Sequence, residues 1–150
     1  MNLEERINEE IKLAAKAGNK LRLETIRSIR AAILEFLKSG ENMELTKEIE
    51  DKILMNAAKR RRDAIEMYEK GERFELAAKE EQELAIINEF LPKQMTEEEV
   101  TAEVQKIVAD TGAVDMKDLG KVMGLAMSQL KGKADGKLVQ QIVKNILGSK

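Results

Sequence analysis

Apolar residues recur at three- and four-residue intervals in every long segment of this chain, and this spacing restricts the fold more than any other feature. Leu3, Ile7, Ile11 and Ala14 mark one face of the first such segment. A repeat of this kind is the signature of an amphipathic α-helix. No stretch of useful length alternates apolar and polar residues as a half-buried strand would. The sequence therefore predicts an all-α protein.

Capping residues and glycines divide the first part of the chain into four predicted helices. The first begins after Asn2 and ends at Gly18. The third covers 47–70 and the fourth 73–90, with a turn at Gly71 between them. Because so short a connection makes two helices antiparallel neighbours, we expect a long antiparallel helix hairpin.

The single proline, Pro92, marks the predicted boundary between two domains. Residues 1–91 form the N-terminal four-helix part, and residues 96–150 form a small C-terminal three-helix domain. Asp115 and Asp135 are the predicted N-caps of the last two helices.

The composition excludes several classes of function. The chain has 26 basic and 28 acidic residues but no cysteine, histidine or tryptophan. Nitrogen and sulfur metal sites and histidine- or cysteine-based nucleophiles therefore cannot be built, and we expect no metal, no cofactor and no catalytic residue. No apolar run approaches the roughly 18 residues that span a bilayer, and the N-terminus has no apolar signal core. A cytoplasmic protein without a membrane partner is the simplest expectation.

One predicted helix contains a pair of glycines beside lysines. Glycine weakens a helix interior by about 1 kcal/mol relative to alanine, yet Gly120 and Gly124 lie within a helical pattern. With about 100° per residue, both lie on the flank of the predicted core stripe, on the side of Lys117, Lys121 and Lys131. The predicted stripe itself is Leu119, Met123, Ala126 and Leu130.

Two interpretations of this glycine strip are open. It could let a neighbouring helix approach closely, or it could let a sugar–phosphate backbone approach while lysines supply charge. From 117 to 150 there are seven lysines against two aspartates, a local charge of +5. Gly132 also has a plain role as a helix C-terminal glycine. The candidate RNA-contacting residues are Lys117, Lys121, Lys131, Lys133, Lys137, Gly120, Gly124 and Gly132.

A second constellation lies in the predicted hairpin. Arg61 falls on the apolar stripe of the third helix, and folding about Gly71 brings it near Glu80 and Glu83. We predict a partly buried ion pair between Arg61 and one of these glutamates, with a structural role.

The stretches "KRRRDAIEMYEKGERFELAAKEEQELAIINEFLPKQMTEEEV" and "DLGKVMGLAMSQLKGKADGKLVQQIVKNIL" closely resemble the YqeY family. The C-terminal half is similar to the tail domain of the GatB subunit of glutamyl/aspartyl-tRNA amidotransferase. The shared pattern comprises Gly120, Gly124, Met127, and then "GKAD" and "KLV".

The resemblance implies two all-α domains and a tail that contacts the elbow of tRNA. In the amidotransferase, glutamine hydrolysis belongs to a separate subunit, and the ATP- and metal-dependent step belongs to a GatB domain that this chain lacks. The family's label of carbon–nitrogen ligase with glutamine as amide donor therefore carries over no catalytic residue.

Three functions follow as hypotheses. The first is a tRNA-associated module that uses the glycine and lysine surface for phosphate contacts. The second is a protein-interaction module whose glycine strip docks a partner's helix. The third is an accessory to a glutamine-dependent carbon–nitrogen ligase. The expected partners are tRNA and an amidotransferase or translation-related protein. Since the domain from residue 96 onward has no aromatic residue, an RNA would be recognised by shape and backbone rather than by base stacking.

Overall fold

The computed structural model describes residues 1–149, and the chain is helical along most of that length. It forms seven α-helices and one turn of 3₁₀ helix, with no strand among these residues. The predicted all-α class is therefore confirmed. The chain divides into two compact units, residues 1–92 and residues 93–150.

The N-terminal unit consists of two pairs of packed helices. Helix α3 packs along α4, α1 packs along α2, and α2 also contacts α3 and α4. The core between them contains fully buried side chains from all four helices, among them Ile7, Ile26, Leu54 and Ile87. The helices are α1 (Leu3–Ala17), α2 (Lys20–Leu37), α3 (Lys47–Lys70) and α4 (Phe74–Asn88).

Helix α1 begins and ends at the residues that its sequence predicts. The Asn2 side chain accepts a hydrogen bond from the N–H of Glu5 at 2.8 Å, and the Glu5 carboxylate accepts one from the N–H of Asn2 at 3.1 Å. This is a capping box. Gly18, with φ of 70°, ends the helix in the left-handed conformation that glycine adopts without strain.

The turn between α3 and α4 lies at Gly71, as the sequence predicts. Gly71 has φ of −86°, and the left-handed residue of the turn is Glu72, with φ of 57°. The glycine therefore ends α3 without using its conformational freedom, and the reversal falls on the next residue.

A buried acid joins α3 to the start of α1. Glu50 is only 8% exposed, and its Oε1 accepts a hydrogen bond from the N–H of Leu3 at 3.2 Å. This hydrogen bond satisfies one of the free N–H donors of α1 and holds the start of α1 against α3. A carboxylate is also favoured at a helix N-terminus.

The C-terminal unit is a three-helix arrangement in which each helix contacts the other two. Its core is built from small branched side chains such as Val104, Val122, Val139 and Val143, all at most 1% exposed. The helices are α5 (Glu97–Thr111), α6 (Leu119–Gln129) and α7 (Gly136–Gly148), and a 3₁₀ turn (Met116–Asp118) precedes α6.

One of the two N-cap predictions in this unit needs correction. Asp115 caps the 3₁₀ turn by accepting from the N–H of Lys117 at 2.9 Å, and α6 starts only at Leu119. Asp135 occupies the N-cap position of α7, as predicted, in the extended conformation typical of that position. Asp118 accepts from the N–H of Val114 at 3.0 Å, which closes the loop before α6.

The predicted core face of α6 is confirmed at Ala126 and Leu130, and it is centred nearer Val122 than the sequence predicts. Val122 and Ala126 are fully buried, whereas Leu119 and Met123 are only partly buried against the same cluster. The smaller side chains therefore occupy the tightest part of the three-helix core.

Candidate nucleic-acid interface

The glycine strip of α6 is open on the surface. A Cβ placed on Gly120 or on Gly124 would meet no heavy atom within 4 Å beyond the helix's own backbone and immediate chain neighbours. Within the described part of the C-terminal unit, no neighbouring helix therefore packs against these two glycines. What remains is a length of bare backbone that another molecule can approach.

The position of the strip follows from the core face of the same helix. At about 100° per residue, Gly120 and Gly124 lie roughly 120–160° around the helix from Val122 and Ala126. Burial of those two side chains against α5 and α7 therefore turns the glycines outward. The exposure of both glycines is consistent with that rotation.

Lysines border the strip on one side. Lys117 lies in the 3₁₀ turn and Lys121 in the first turns of α6, and both are exposed. Lys121 precedes Gly124 by three residues, a spacing that makes neighbours on a helix surface. An approaching anion would thus find two ammonium groups beside exposed main chain.

Methionines border the strip on the other side. Met116 is 44% exposed and Met127 is 43% exposed. Met127 follows Gly124 by three residues, so its side chain continues the same face of α6. The border is therefore mixed, with cationic side chains on one edge and flexible apolar side chains on the other.

Met127 connects this face to the start of α7. Its Cε lies 3.0 Å from the point where a Cβ on Gly136 would be, so a larger residue at position 136 would require the Met127 side chain to shift by a few tenths of an ångström. The exposed Lys137 follows in the first turn of α7. The strip thus leads toward a second cationic position.

The loop between α6 and α7 carries Lys131 and Lys133, and it is held by the segment before α5. The N–H of Met95 donates to the carbonyl oxygen of Lys133 at 2.8 Å, and Gln94 Nε2 donates to that of Gly132 at 2.9 Å. Gly132 has φ of 78°, a left-handed value that favours glycine.

Sequence reasoning missed the roles of Gln94 and Met95. Both lie 38 residues before their partners in the chain, and nothing in local spacing signals such a contact. All five candidate lysines are exposed. Lys117 and Lys121 lie on or just before α6, while the other three lie in the α6–α7 loop and the first turn of α7.

The second predicted constellation lies in the N-terminal unit. Arg61 Nε is 4.0 Å from Glu80 Oε2, and Arg61 Nη2 donates to Ser28 Oγ at 3.1 Å. Burial raises the pKa of Glu83, as do its hydrogen bond with Glu80 and the Glu80 charge, while Arg61 and Lys79 act in the opposite direction. The guanidinium and the two carboxyl groups therefore form one electrostatic cluster.

Residues 1–149 contain no group of three or more acidic side chains arranged to hold a metal ion. Within the same residues, no helix combines the length and the apolar character needed to cross a bilayer.

Comparison with known proteins gives two similarities. A family model described as Yqey-like protein matches residues 4–147. "Altered inheritance of mitochondria protein 41, mitochondrial", from Pyrenophora tritici-repentis (strain Pt-1C-BFP), is 26% identical over 148 residues, which cover 97% of this chain and 81% of the relative.

Proposed function

The chain belongs to the YqeY-like protein family, and from that premise we propose that it is a tRNA-associated module. The C-terminal unit contacts the phosphate backbone through α6 and the lysines beside it. The observation that carries this proposal is the open main chain at Gly120 and Gly124, where an added Cβ would find no heavy atom of the described residues within 4 Å outside the helix's own backbone and the adjacent residues.

The local charge supports a polyanion as the ligand. Seven lysines and two aspartates lie between 117 and 150, although the whole chain has a net charge of −2. Lysine binds phosphate as a compact charge on a flexible stem, so exposed lysines around bare backbone suit a ligand whose phosphates are spaced along a strand. Binding of this kind falls steeply with salt.

Composition supports recognition by shape. No aromatic side chain occurs from residue 96 onward, so the unit offers no platform for stacking splayed bases. A folded RNA that presents its backbone is therefore the ligand class that fits, and tRNA is the member that the resemblance to the amidotransferase tail favours.

The test is a matched pair of variants in the full chain. Gly124→Leu places a branched side chain on the open strip, and Ala102→Leu places the same side chain on an exposed position of α5. We expect Gly124→Leu to weaken tRNA binding by about tenfold, a change of about 1.4 kcal/mol, and Ala102→Leu to leave it within about twofold. Equal affinities for the two variants would contradict the proposal.

A second candidate function is a protein-interaction module, and the apolar edge of the strip favours it. Met116 and Met127 are both more than two-fifths exposed, and methionine adapts to varied apolar partners. In that case a partner's helix would dock against the glycines. A complex that survives RNase treatment and is lost in Gly124→Leu would support this candidate over RNA binding.

The proposal includes a cytoplasmic location. An accessory role beside a glutamine-dependent carbon–nitrogen ligase is a separate proposal that rests on the family resemblance alone. The relative's name assigns that protein to mitochondria. Localisation of this chain in cells with a fluorescent tag tests that part.

A further inference from the structure

A cleft of about 370 Å³ lies between α2 and α3 in the N-terminal unit. Its apolar lining comes from Phe36 and Ala32 on α2 and from Ile53 and Ala57 on α3. None of these four side chains is fully buried, so the cleft exposes apolar surface, although Ile53 and Ala57 also pack against the core. Its volume falls at the small end of the range for ligand pockets.

Two guanidinium groups line the same cleft. Arg60 is exposed and makes no ion pair within the described residues. The Arg61 side chain is only 17% exposed. Its Nε is buried and makes no hydrogen bond, and the nearest carboxylate oxygen, Glu80 Oε2, is 4.0 Å away. Arg61 is therefore a desolvated cation whose capacity to donate is incompletely used.

The hydroxyl groups of the cleft are already committed as donors. Ser28 Oγ donates to the carbonyl oxygen of Thr25 at 2.6 Å, and Ser39 Oγ donates to that of Phe36 at 2.6 Å. Both serines line the cleft, and each can offer a ligand only an acceptor. The charged donors of the cleft are thus its guanidinium groups, which match carboxylate and phosphate oxygens in geometry.

We propose that this cleft binds a small amphipathic anion, a molecule with a carboxylate or phosphate group on an apolar body. The head group contacts Arg60 and Arg61, and the body covers Phe36 and Ile53. A small molecule fits better than a polymer because the Arg61 side chain is only 17% exposed and its Nε is buried, so the ligand must be small enough to enter the cleft beside it.

One lining residue opposes such a ligand. Glu35 is exposed and borders the cleft, and it makes no ion pair within the described residues. Its carboxylate repels an anion at neutral pH. The proposal therefore predicts that Glu35→Gln tightens binding, whereas a site for a cationic ligand would weaken on the same change.

The test uses four probes added to the full chain, followed by backbone amide shifts in NMR spectra. Octanoate and octyl phosphate carry the two head groups on the same apolar body. Octanol lacks the charge, and inorganic phosphate lacks the body. We expect saturable shifts at cleft residues with at least one of the two anionic amphiphiles, and at least tenfold weaker binding of octanol and inorganic phosphate.

Comparison of the two anionic amphiphiles then assigns the head group. The tighter of octanoate and octyl phosphate identifies carboxylate or phosphate as the preferred group. Absence of saturable shifts with both, or shifts that lie outside the cleft, would overturn the proposal. Octanol binding as tightly as the anions would also overturn it, because the arginines would then contribute nothing.

A set of substitutions tests whether the amphiphile binds in the cleft. We expect Arg60→Gln to weaken binding of the preferred amphiphile by about tenfold, as for loss of a charge-assisted hydrogen bond. Ala57→Leu, which fills the cleft without changing charge, should weaken it similarly. Arg30→Gln removes an exposed arginine of α2 that does not line the cleft and should have no effect. Equal effects of Arg60→Gln and Arg30→Gln would contradict the assignment. The site shares no residue with the glycine strip, so its failure leaves the RNA proposal unaffected.

Discussion

The main-chain N–H of Met95 donates a hydrogen bond to the carbonyl oxygen of Lys133 at 2.8 Å. With the Gln94 side chain on Gly132, this bond fixes the path of the α6–α7 loop from a segment that lies outside both helices. The lysines of the loop therefore extend from a restrained backbone. A surface held in this way loses less conformational freedom when a ligand binds.

Gln94→Ala removes the side-chain bond to Gly132 and leaves a buried carbonyl oxygen without that donor. We expect a loss of about 1 kcal/mol in the free energy of unfolding, together with faster hydrogen exchange in the loop. Urea denaturation and exchange measured by NMR check both effects. Gln141→Ala, at an exposed position of α7, is the control, and an equal loss there would contradict the role of Gln94.

Glu50→Ala should destabilise the N-terminal unit more than most substitutions of an acid. The change leaves the N–H of buried Leu3 without its acceptor, and an unsatisfied buried donor costs about 1–3 kcal/mol. Glu50→Gln keeps an acceptor and should lose less. Thermal unfolding of both Glu50 variants tests this expectation, and Glu9→Ala, at an exposed position of α1, is the control. A Glu50→Ala protein as stable as Glu9→Ala would refute the capping role.

Arg22→Lys should also be destabilising although it keeps the charge. The Arg22 guanidinium contacts both carboxylate oxygens of Glu89, at 2.8 and 3.2 Å, and Glu10 at 2.9 Å. These hydrogen bonds raise the pKa of Arg22, and an ammonium group cannot reproduce their forked geometry. We expect a loss of about 1 kcal/mol by urea denaturation. Arg27→Lys on the same helix, where the side chain is exposed, should change stability negligibly, and a similar loss for both would count against the network.

The raised pKa of Glu83 leads us to predict that the stability of the fold depends on pH. Its pKa is raised in the folded chain, first by burial and then by Glu80, so the folded state holds this proton more tightly than the unfolded state. Ionised Glu83 therefore costs stability at neutral pH, and that cost disappears as the pH falls through the raised pKa toward the ordinary glutamate value of about 4.5.

The corresponding variant is Glu83→Gln. It should be more stable than the unsubstituted chain at pH 7, and the difference should narrow as the pH is lowered. Urea midpoints at a series of pH values measure it, with the exposed Glu81→Gln as control. A difference that widens at lower pH would show that Glu83 is stabilised as a carboxylate.

The sequence predicts elements that depend on local chemistry. The Asn2 cap and the Gly18 terminus of α1 follow from side chains within one helical turn, and both are present. The all-α class follows from the apolar period. The left-handed Glu72 and the 3₁₀ start before α6 could not be predicted, because local packing decides there between backbone conformations of similar energy.

The candidate site likewise has some features that local spacing predicts and others that only the tertiary structure reveals. The spacing of Gly120, Gly124 and Lys121 places them on one side of a helix. The helical period also predicts correctly that this side faces away from the buried Ala126. Whether the strip is open depends on what lies above it, and only the structure shows that no described residue comes within 4 Å of a Cβ placed on either glycine, outside the helix's own backbone and the adjacent residues. The contacts of Gln94 and Met95 with the loop join residues 38 positions apart, so no local pattern could reveal them.

The most direct test of the central claim is the salt dependence of tRNA binding. Each phosphate neutralised by a lysine contributes about 0.7–0.9 to the slope of log affinity against log salt concentration. The double variant Lys117→Gln/Lys121→Gln should therefore lower that slope by about 1.4–1.8. The control, Lys12→Gln/Lys106→Gln, removes two exposed lysines of α1 and α5 and should leave the slope unchanged. A slope that is the same in both double variants would contradict the claim that the lysines beside the glycine strip contact RNA phosphates.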